Sequence, residues 1–520
     1  MLMPHKCSPP IGKRAQRLEG ASYKNYNRAN PFRGEAKMKQ EYFFSFNFTE
    51  KDNKQHFPVT FDVNEDAEEI VIYGAYHPQT VDEEKSKILA RECLRVYLSQ
   101  GDMPVDIDTL PQQILEKALK EFIPIRNLLN FRIFDPLGNF RGSGDNRIFK
   151  GVPIKIGKSL SSLGCVTGNI HPGAWELVVG TNAVVNFCKL ELKIEINSKE
   201  ETFDLPELAK PYQPVLNAYK QKKGWVKGDF HSHSNHSDGS LSIEELVQNA
   251  IDRKLDFIFL TDHNKISGWE TAQNEKFPLL PGIELSTFWG HFTTFGTTKY
   301  VDWSKIDPPR GIGEASHLVH NQGGLFCVAH PFTIGDPVCT GCRLIMNVDW
   351  NFVDALEIWA GTFNKRRPEN TEALKLWRNL LNQGHKIVGI GATDIHSLQD
   401  IHPDVPMTYV WVEELTLENI LRSVKEGRVY VTRGPEVEFN INAAKIGDTI
   451  GVSDAPSILS YSISKDADLK IIYNGEEIES IRNTGCGEVP LHLDKPGYIY
   501  LEFWKRGELI ALTNPIFIEG

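Results

Sequence analysis

Three histidines and two aspartates fall within ten residues of one stretch, Asp229-Phe230-His231-Ser232-His233-Ser234-Asn235-His236-Ser237-Asp238. His231 and His233 stand two apart, a spacing that turns both rings to one face of an extended strand. Two imidazoles on one face at a strand end can grip one metal ion. Further strand-like runs end the same way: Phe259-Leu260-Thr261-Asp262-His263, Pro281-Gly282-Ile283-Glu284 followed by Gly290-His291, Cys327-Val328-Ala329-His330-Pro331, and Gly391-Ala392-Thr393-Asp394-Ile395-His396. Each fragment alone reads as a polar loop with an incidental histidine. Their joint occurrence at strand ends points to a metal centre. His317 and His320, on an expected helix, read as surface or packing residues.

For residues this far apart to meet, the ends of their strands must converge. From 225 to about 433 strands alternate with helices. Strands are expected to end in Asp229–His233, Phe257–His263, Leu279–Ser286, His291–Thr297, Leu325–His330, Ala355–Trp359 and Ile387–Asp394. Helices read at Ser242–Lys254, Glu314–Gln322, Thr371–Asn382 and Thr416–Lys425, the first opened by a Ser242/Glu245 capping box. Such alternation predicts a parallel sheet closed into a barrel, with every strand C-terminus on one face. Ten of the sixteen histidines lie between 229 and 396, which puts the chemistry in this unit.

The flanks read differently. Residues 41–215 show short alternating runs between turn signals, with one helix at Glu83–Ser99, and predict a β-sandwich with a helical insert. Lys210–Lys223 reads as a linker into a unit spanning 216–434. After Gly434-Pro435 the chain returns to strands, with Asn474-Gly475 as a hairpin turn, and 435–520 suits a small immunoglobulin-like sandwich. Residues 1–40 carry nine Lys or Arg against two Glu without apolar periodicity, and read as a disordered basic arm or as an over-long start ahead of Met38.

With 520 residues and a net charge of -11, the chain offers no bulk attraction for nucleic acid or anionic membrane, so a small-molecule substrate is the expected partner. No apolar run has the length of a membrane span. Eight scattered cysteines suit a cytoplasmic protein. Cys339-Thr340-Gly341-Cys342 reads as two incidental thiols, with a loop-pinning disulfide as the alternative. Nothing in the sequence speaks to oligomeric state.

The order H-x-H…S-D-G, T-D-H, G-x-E, H-P, D-x-H resembles the PHP (polymerase and histidinol phosphatase) family. The layout from about 125 onward is similar to its CehA/McbA, carbaryl-hydrolase-like branch, including Phe134–Gly142, Pro172–Trp175, Gly282–Thr287, Leu356–Trp359, Pro406–Val410, Gly427–Tyr430 and Gly434-Pro435. The resemblance implies a distorted (β/α)7 barrel between two sandwiches, holding two or three divalent ions (Mn, Fe or Zn). By that resemblance His231, His233, Glu284 and Asp394 hold the first ion. Glu284 bridges to a second, completed by His291 and His330. Asp238, His263 and His396 hold a third. The chain departs from the branch at Thr293 and Ala329, where Asn is common.

The expected chemistry is hydrolysis, since paired cations lower the pKa of water and stabilise a developing anion. The first expectation is a phosphoesterase acting on a small phosphomonoester or phosphodiester. The second is a carbamate, ester or amide hydrolase, for which Trp289, Phe292, Phe332 and Trp359 could form an apolar wall. The third is a non-catalytic module with binding sandwiches, against which the full ligand set argues. Asp262 and His236 are candidate proton donors, and Arg366, with Lys365 and Arg367, a candidate anion contact.

Overall fold

A computed structural model describes residues 40–144, 151–200, 208–209, 222–266, 268, 277–362 and 365–520. The basic stretch up to residue 39 and most of the expected linker lie outside these.

The described residues between 40 and 200 include two four-stranded antiparallel sheets. One runs Gln40–Thr49, Phe187–Asn197, Glu69–His77, Ile154–Gly157; the other runs Gln55–Val63, Gly173–Ala183, Leu128–Phe134, Phe140–Gly144. Strand alternation sorts the side chains. Phe44, Phe46 and Phe48 from one sheet meet Leu129, Phe131, Ile133 and Trp175 from the other in a shared core. The strand Gln55–Val63 goes beyond the sequence expectation, where Pro58 obscured it. It is an edge strand, where a missing N–H is tolerated. Helix Glu83–Leu98 stands where expected. A second helix, Gln112–Lys120, goes beyond the sequence expectation; its Leu115 is buried, with Ala118 and Leu119 packed beside it.

The middle unit is a ring of seven strands: Gly224–Asp229, Phe257–Leu260, Leu279–Ser286, His291–Phe295, Leu325–Ala329, Ala355–Ala360 and Val388–Ala392. Neighbours pair around the ring, and a parallel bridge from Ser232 to Ile395 joins its two ends. The expectation of an all-parallel sheet is corrected here. His291–Phe295 runs antiparallel to both neighbours. Only Thr287 to Gly290 separate it from Leu279–Ser286, too few residues for a helical crossover. Helices Ile243–Asp252, Gly313–His320, Arg367–Asn382 and Leu417–Lys425 match the four expected helices to within a few residues. The capping box at Ser242 and Glu245 is present. Strand Met407–Val412 pairs antiparallel on Gly224–Asp229 and carries Val429–Thr432 on its far edge.

The last segment is joined to this sheet rather than merely flanking it. Val429–Thr432 also pairs with Glu508–Thr513. A long hairpin, Ser453–Tyr473 with Glu476–Leu493, turns at Asn474 and Gly475, both at positive φ as a tight I′-type turn requires.

The outer face of the N-terminal sheet packs on the ring. Phe140 stacks on Tyr300 at 3.9 Å, and Lys54 pairs with Asp336 at 2.6 Å. His56 lies between Phe288 and Trp303, with ring centroids 4.7 and 5.0 Å away. Burial, reinforced by nearby Arg132, lowers its pKa from 6.5 to about 3. The unfolded chain therefore takes up a proton near pH 6.5 that the native state refuses until about 3, so stability is full above the first value and falls through the window between them. A His56→Gln variant is expected to lose less stability than the wild type between about pH 7 and 4, measured as denaturant midpoint; parallel acid limbs would refute this assignment.

Candidate metal centre

Glu284 ends the third ring strand, and imidazoles from four other segments close on it. Its Oε2 lies 2.7 Å from His263 Nδ1, 3.3 Å from His231 Nε2 and 3.4 Å from His233 Nε2. Its Oε1 lies 2.7 Å from His291 Nδ1 and 3.0 Å from His330 Nε2. Asp394 adds a second carboxylate, with Oδ1 3.5 Å from His231 Nε2 and 3.3 Å from His233 Nε2. Asp238, half exposed, meets His263 and His396 at 3.4 Å each. The structure thus brings together all nine residues expected as ligands. They fall into overlapping sets: His231–His233–Glu284, His263–Glu284–His291, His231–His330–Asp394 and His233–Asp238–His263–His396.

The sequence builds these positions with unusual backbone. His330 and Asp394 both have positive φ, at 24° and 53°. Each such non-glycine residue costs on the order of 1–3 kcal/mol and persists only when its surroundings over-determine it. They do so here. The Asp394 N–H donates to the His231 carbonyl at 3.0 Å, and Thr393 donates through N–H and Oγ1 to Asp229 at 3.1 and 2.6 Å. The His330 N–H donates to Glu357 at 2.8 Å.

Outer partners also set which ring nitrogen faces inward. Glu357 takes His231 Nδ1 at 3.2 Å, the Thr340 carbonyl takes His291 Nε2 at 2.7 Å, and the Asp394 carbonyl takes His396 Nδ1 at 3.0 Å. In each case the opposite nitrogen is left toward the cluster, the arrangement that orients imidazole ligands. Glu357, within the fragment Leu356–Trp359, is a functional residue that spacing and residue type do not single out. A buried carboxylate amid Ala355-Leu356-Glu357-Ile358-Trp359 was its available signal, since an ionised group in an apolar strand needs a partner.

The donor set fits divalent cations. His231 Nε2 and both ring nitrogens of His233 are buried without hydrogen-bond partners. Burial resists charge on His231, but Glu284, Glu357 and Asp394 outweigh it and raise its pKa well above the usual value. His263 is raised likewise, with burial opposed by Glu284 and Asp238. Burial and the neighbouring His396 and His263 push His233 down to about 3. For Glu284, burial is overcome by His263, His291 and His231, which hold its carboxyl well below the usual range. For Asp394, His231 and Arg366 do the same.

The three expected catalytic residues separate. Arg366 touches the cluster, its Nη2 2.9 Å from Asp394 Oδ2 and its Nη1 buried without a partner. The Asp262 carboxylate accepts instead from the Ser234 N–H, Ser234 Oγ and Ser237 Oγ, which ties it to the loop that carries Asp238. His236 is buried in that loop, its N–H donating to Ser234 Oγ at 3.1 Å. Of the four aromatics that could form an apolar wall, Phe292 and Trp359 are core residues, whereas Trp289 and Phe332 are only partly buried. Cys339 and Cys342 are joined in a disulfide, which replaces the expected pair of free thiols and ties the loop whose Thr340 holds His291.

Residues 229–319 match the model of the PHP domain family. Over 67 residues, 12% of this chain and 23% of the relative, the chain is 36% identical to the 5'-3' exoribonuclease Rnm of Escherichia coli K12 and, to the same extent, of Salmonella typhimurium. It is 23% identical over 239 residues to the DNA polymerase/3'-5' exonuclease PolX of Bacillus subtilis, covering 41% of this chain and 38% of that one. The chain therefore spans well under half the length of these relatives. Among solved structures, a two-domain protein of Bacteroides vulgatus described as containing a PHP-like metal-dependent phosphoesterase aligns with TM-score 0.33 and 17% identity, over 60% of this chain and all of that one. An amidohydrolase of Chromobacterium violaceum aligns with TM-score 0.24 and 15% identity, over 34% and 89%. With nucleases among the relatives, the expectation that nucleic acid is excluded as a partner has no support. Among the described residues no helix is long and apolar enough to cross a membrane.

Two outcomes follow from this geometry. Glu357→Gln is expected to weaken divalent-ion affinity by about 10–100-fold, read by equilibrium dialysis of manganese; unchanged affinity would remove Glu357 from the centre. Because His231 and His263 hold protons that ligation must displace, affinity should rise with pH through neutrality, by about tenfold per unit for each proton released. Calorimetry in buffers of different ionisation enthalpy counts those protons, and a count of zero at neutral pH contradicts the assignment.

Proposed function

We propose that this protein is a metal-dependent hydrolase of phosphate esters, working at the ring mouth with two or three divalent ions. The observation that carries the reading is Glu284 with five histidines within 3.4 Å, the inward Nε2 atoms of His231 and His233 lacking hydrogen-bond partners. His231, His233, Glu284 and Asp394 would hold one ion, Glu284, His291 and His330 a second, and Asp238, His263 and His396 a third. Glu284 shares one side-chain set with His231 and His233 and another with His263 and His291, and Asp238 shares one with His263 and His396, while His330 groups with His231 and Asp394. Bound ions supply a water of lowered pKa and positive charge against a developing anion.

The chain's own residues do the rest. Glu357, Thr340 and the Asp394 carbonyl orient the imidazoles. Asp262 positions the loop bearing Asp238 through Ser234 and Ser237 rather than delivering a proton. Arg366, anchored on Asp394 with Nη1 uncommitted, can donate to a phosphoryl oxygen as charge builds on it. Phosphate is favoured over carbamate because this cation borders the centre, whereas Phe292 and Trp359 are committed to the core. Placement in the CehA/McbA branch rests on the sequence fragments alone. A second reading, cleavage of a nucleic-acid phosphodiester, is favoured by the alignment with exoribonucleases.

The manganese-loaded chain should hydrolyse 4-nitrophenyl phosphate or bis(4-nitrophenyl) phosphate. Asp394→Asn should lower kcat/KM by more than about 100-fold, since loss of a ligand costs at least as much as loss of an outer partner. A 5'-phosphorylated oligoribonucleotide tests the second reading in the same assay. Cleavage of 1-naphthyl methylcarbamate with none of the phosphate esters would overturn the proposal.

A further inference from the structure

The cleft over the metal centre is walled by two units of the chain. It has a volume of about 740 Å³, the size of a small-molecule site. Its lining includes Asp238, His263 and His291 from the cluster, Trp303 from the ring unit, and Leu128 and Arg132 from the N-terminal sandwich.

Arg132 stands out among them. On strand Leu128–Phe134 the side chains of Leu129, Phe131 and Ile133 enter the sandwich core, so the period of two turns Arg132 to the opposite face, toward the ring unit. It is 3% exposed. Its Nε and Nη1 are buried with no hydrogen-bond partner, and so is Nε1 of Trp303. The guanidinium lies over the Trp303 ring, 4.6 Å from its centroid, a contact that fixes its plane while Nε and Nη1 stay buried and unpaired. Asp302 comes no nearer than 3.9 Å to Nε, beyond hydrogen-bond range. A buried cation with unmet donors is costly, and a planar fork of N–H groups is the side-chain geometry best matched to phosphate or carboxylate.

We propose that Arg132, with Trp303 Nε1 beside it, binds a second anionic group of the substrate, a phosphate or a carboxylate, while the scissile phosphate lies at the metal centre. This rests on the phosphoesterase reading and narrows it: the preferred substrate is doubly anionic, with its two charges held apart by a spacer that fits the cleft. It also gives the N-terminal sandwich a part in substrate selection.

Calorimetry with the full manganese-loaded chain tests this without turnover. The ligands are alkylphosphonates, α,ω-alkanebisphosphonates and ω-carboxyalkylphosphonates of matched chain length. At one spacer length a doubly anionic ligand should bind at least about tenfold more tightly than its singly anionic match, as expected for one charge-assisted hydrogen-bonded pair. Whichever series shows the larger gain identifies the second group. Arg132→Met should erase the ratio between doubly and singly anionic ligands, and Arg132→Lys should keep part of it. The wild-type comparison stands even if a variant does not fold. No gain at any spacer length, or a gain that survives in Arg132→Met, overturns the proposal alone. Failure of every phosphonate to bind the metal-loaded chain overturns the phosphoesterase reading and this proposal with it.

Discussion

The structure depends on a crowd of ionisable groups that cannot satisfy one another. Glu284 and Asp394 are buried, and the imidazoles around them compete for the same oxygen atoms. Removing such groups from water costs several kcal/mol per ion unless each finds a partner. Protons on His231 and His263 offset part of that cost, and divalent cations would offset it more completely. The bent backbone at His330 and Asp394, the bridge between Ser232 and Ile395, and the ties from Asp229 and Glu357 all serve to hold this crowd in place.

That constraint explains what could be read from the residues and what could not. Candidate ligands at strand ends are legible because they interrupt apolar runs: His263 after Phe257–Leu260, His330 after Leu325–Ala329, Asp394 after Val388–Ala392. Glu357 is not, because it sits inside its strand and its role depends on a histidine 126 residues away. The antiparallel strand His291–Phe295 was legible as a strand but not in its direction, since alternation of apolar residues carries no information on which way a neighbour runs. In the sequence Arg132 is one more charged residue in a β-rich region. Only the packing of two units makes it a buried cation at a cleft.

The N-terminal sandwich is more than decoration. One face of its second sheet closes its own core, and the other carries His56, Arg132 and Phe134 against Phe288, Trp303 and Tyr300 of the ring unit. The same strand therefore fills the sandwich core with Leu129, Phe131 and Ile133 and turns Arg132 toward Trp303 of the ring unit. A change at Leu129, Phe131 or Ile133 acts on the fold, and a change one residue along acts on the site.

The shared sheet at the other end has a different consequence. Val429–Thr432 is hydrogen-bonded on both sides, to Met407–Val412 and to Glu508–Thr513. Cutting the chain at Gly434 would strip one side and expose a bare row of backbone donors and acceptors, a template for self-association. The last segment is thus not an interchangeable cassette. Any lineage that shuffles it away must first evolve a new edge for the strand it leaves behind.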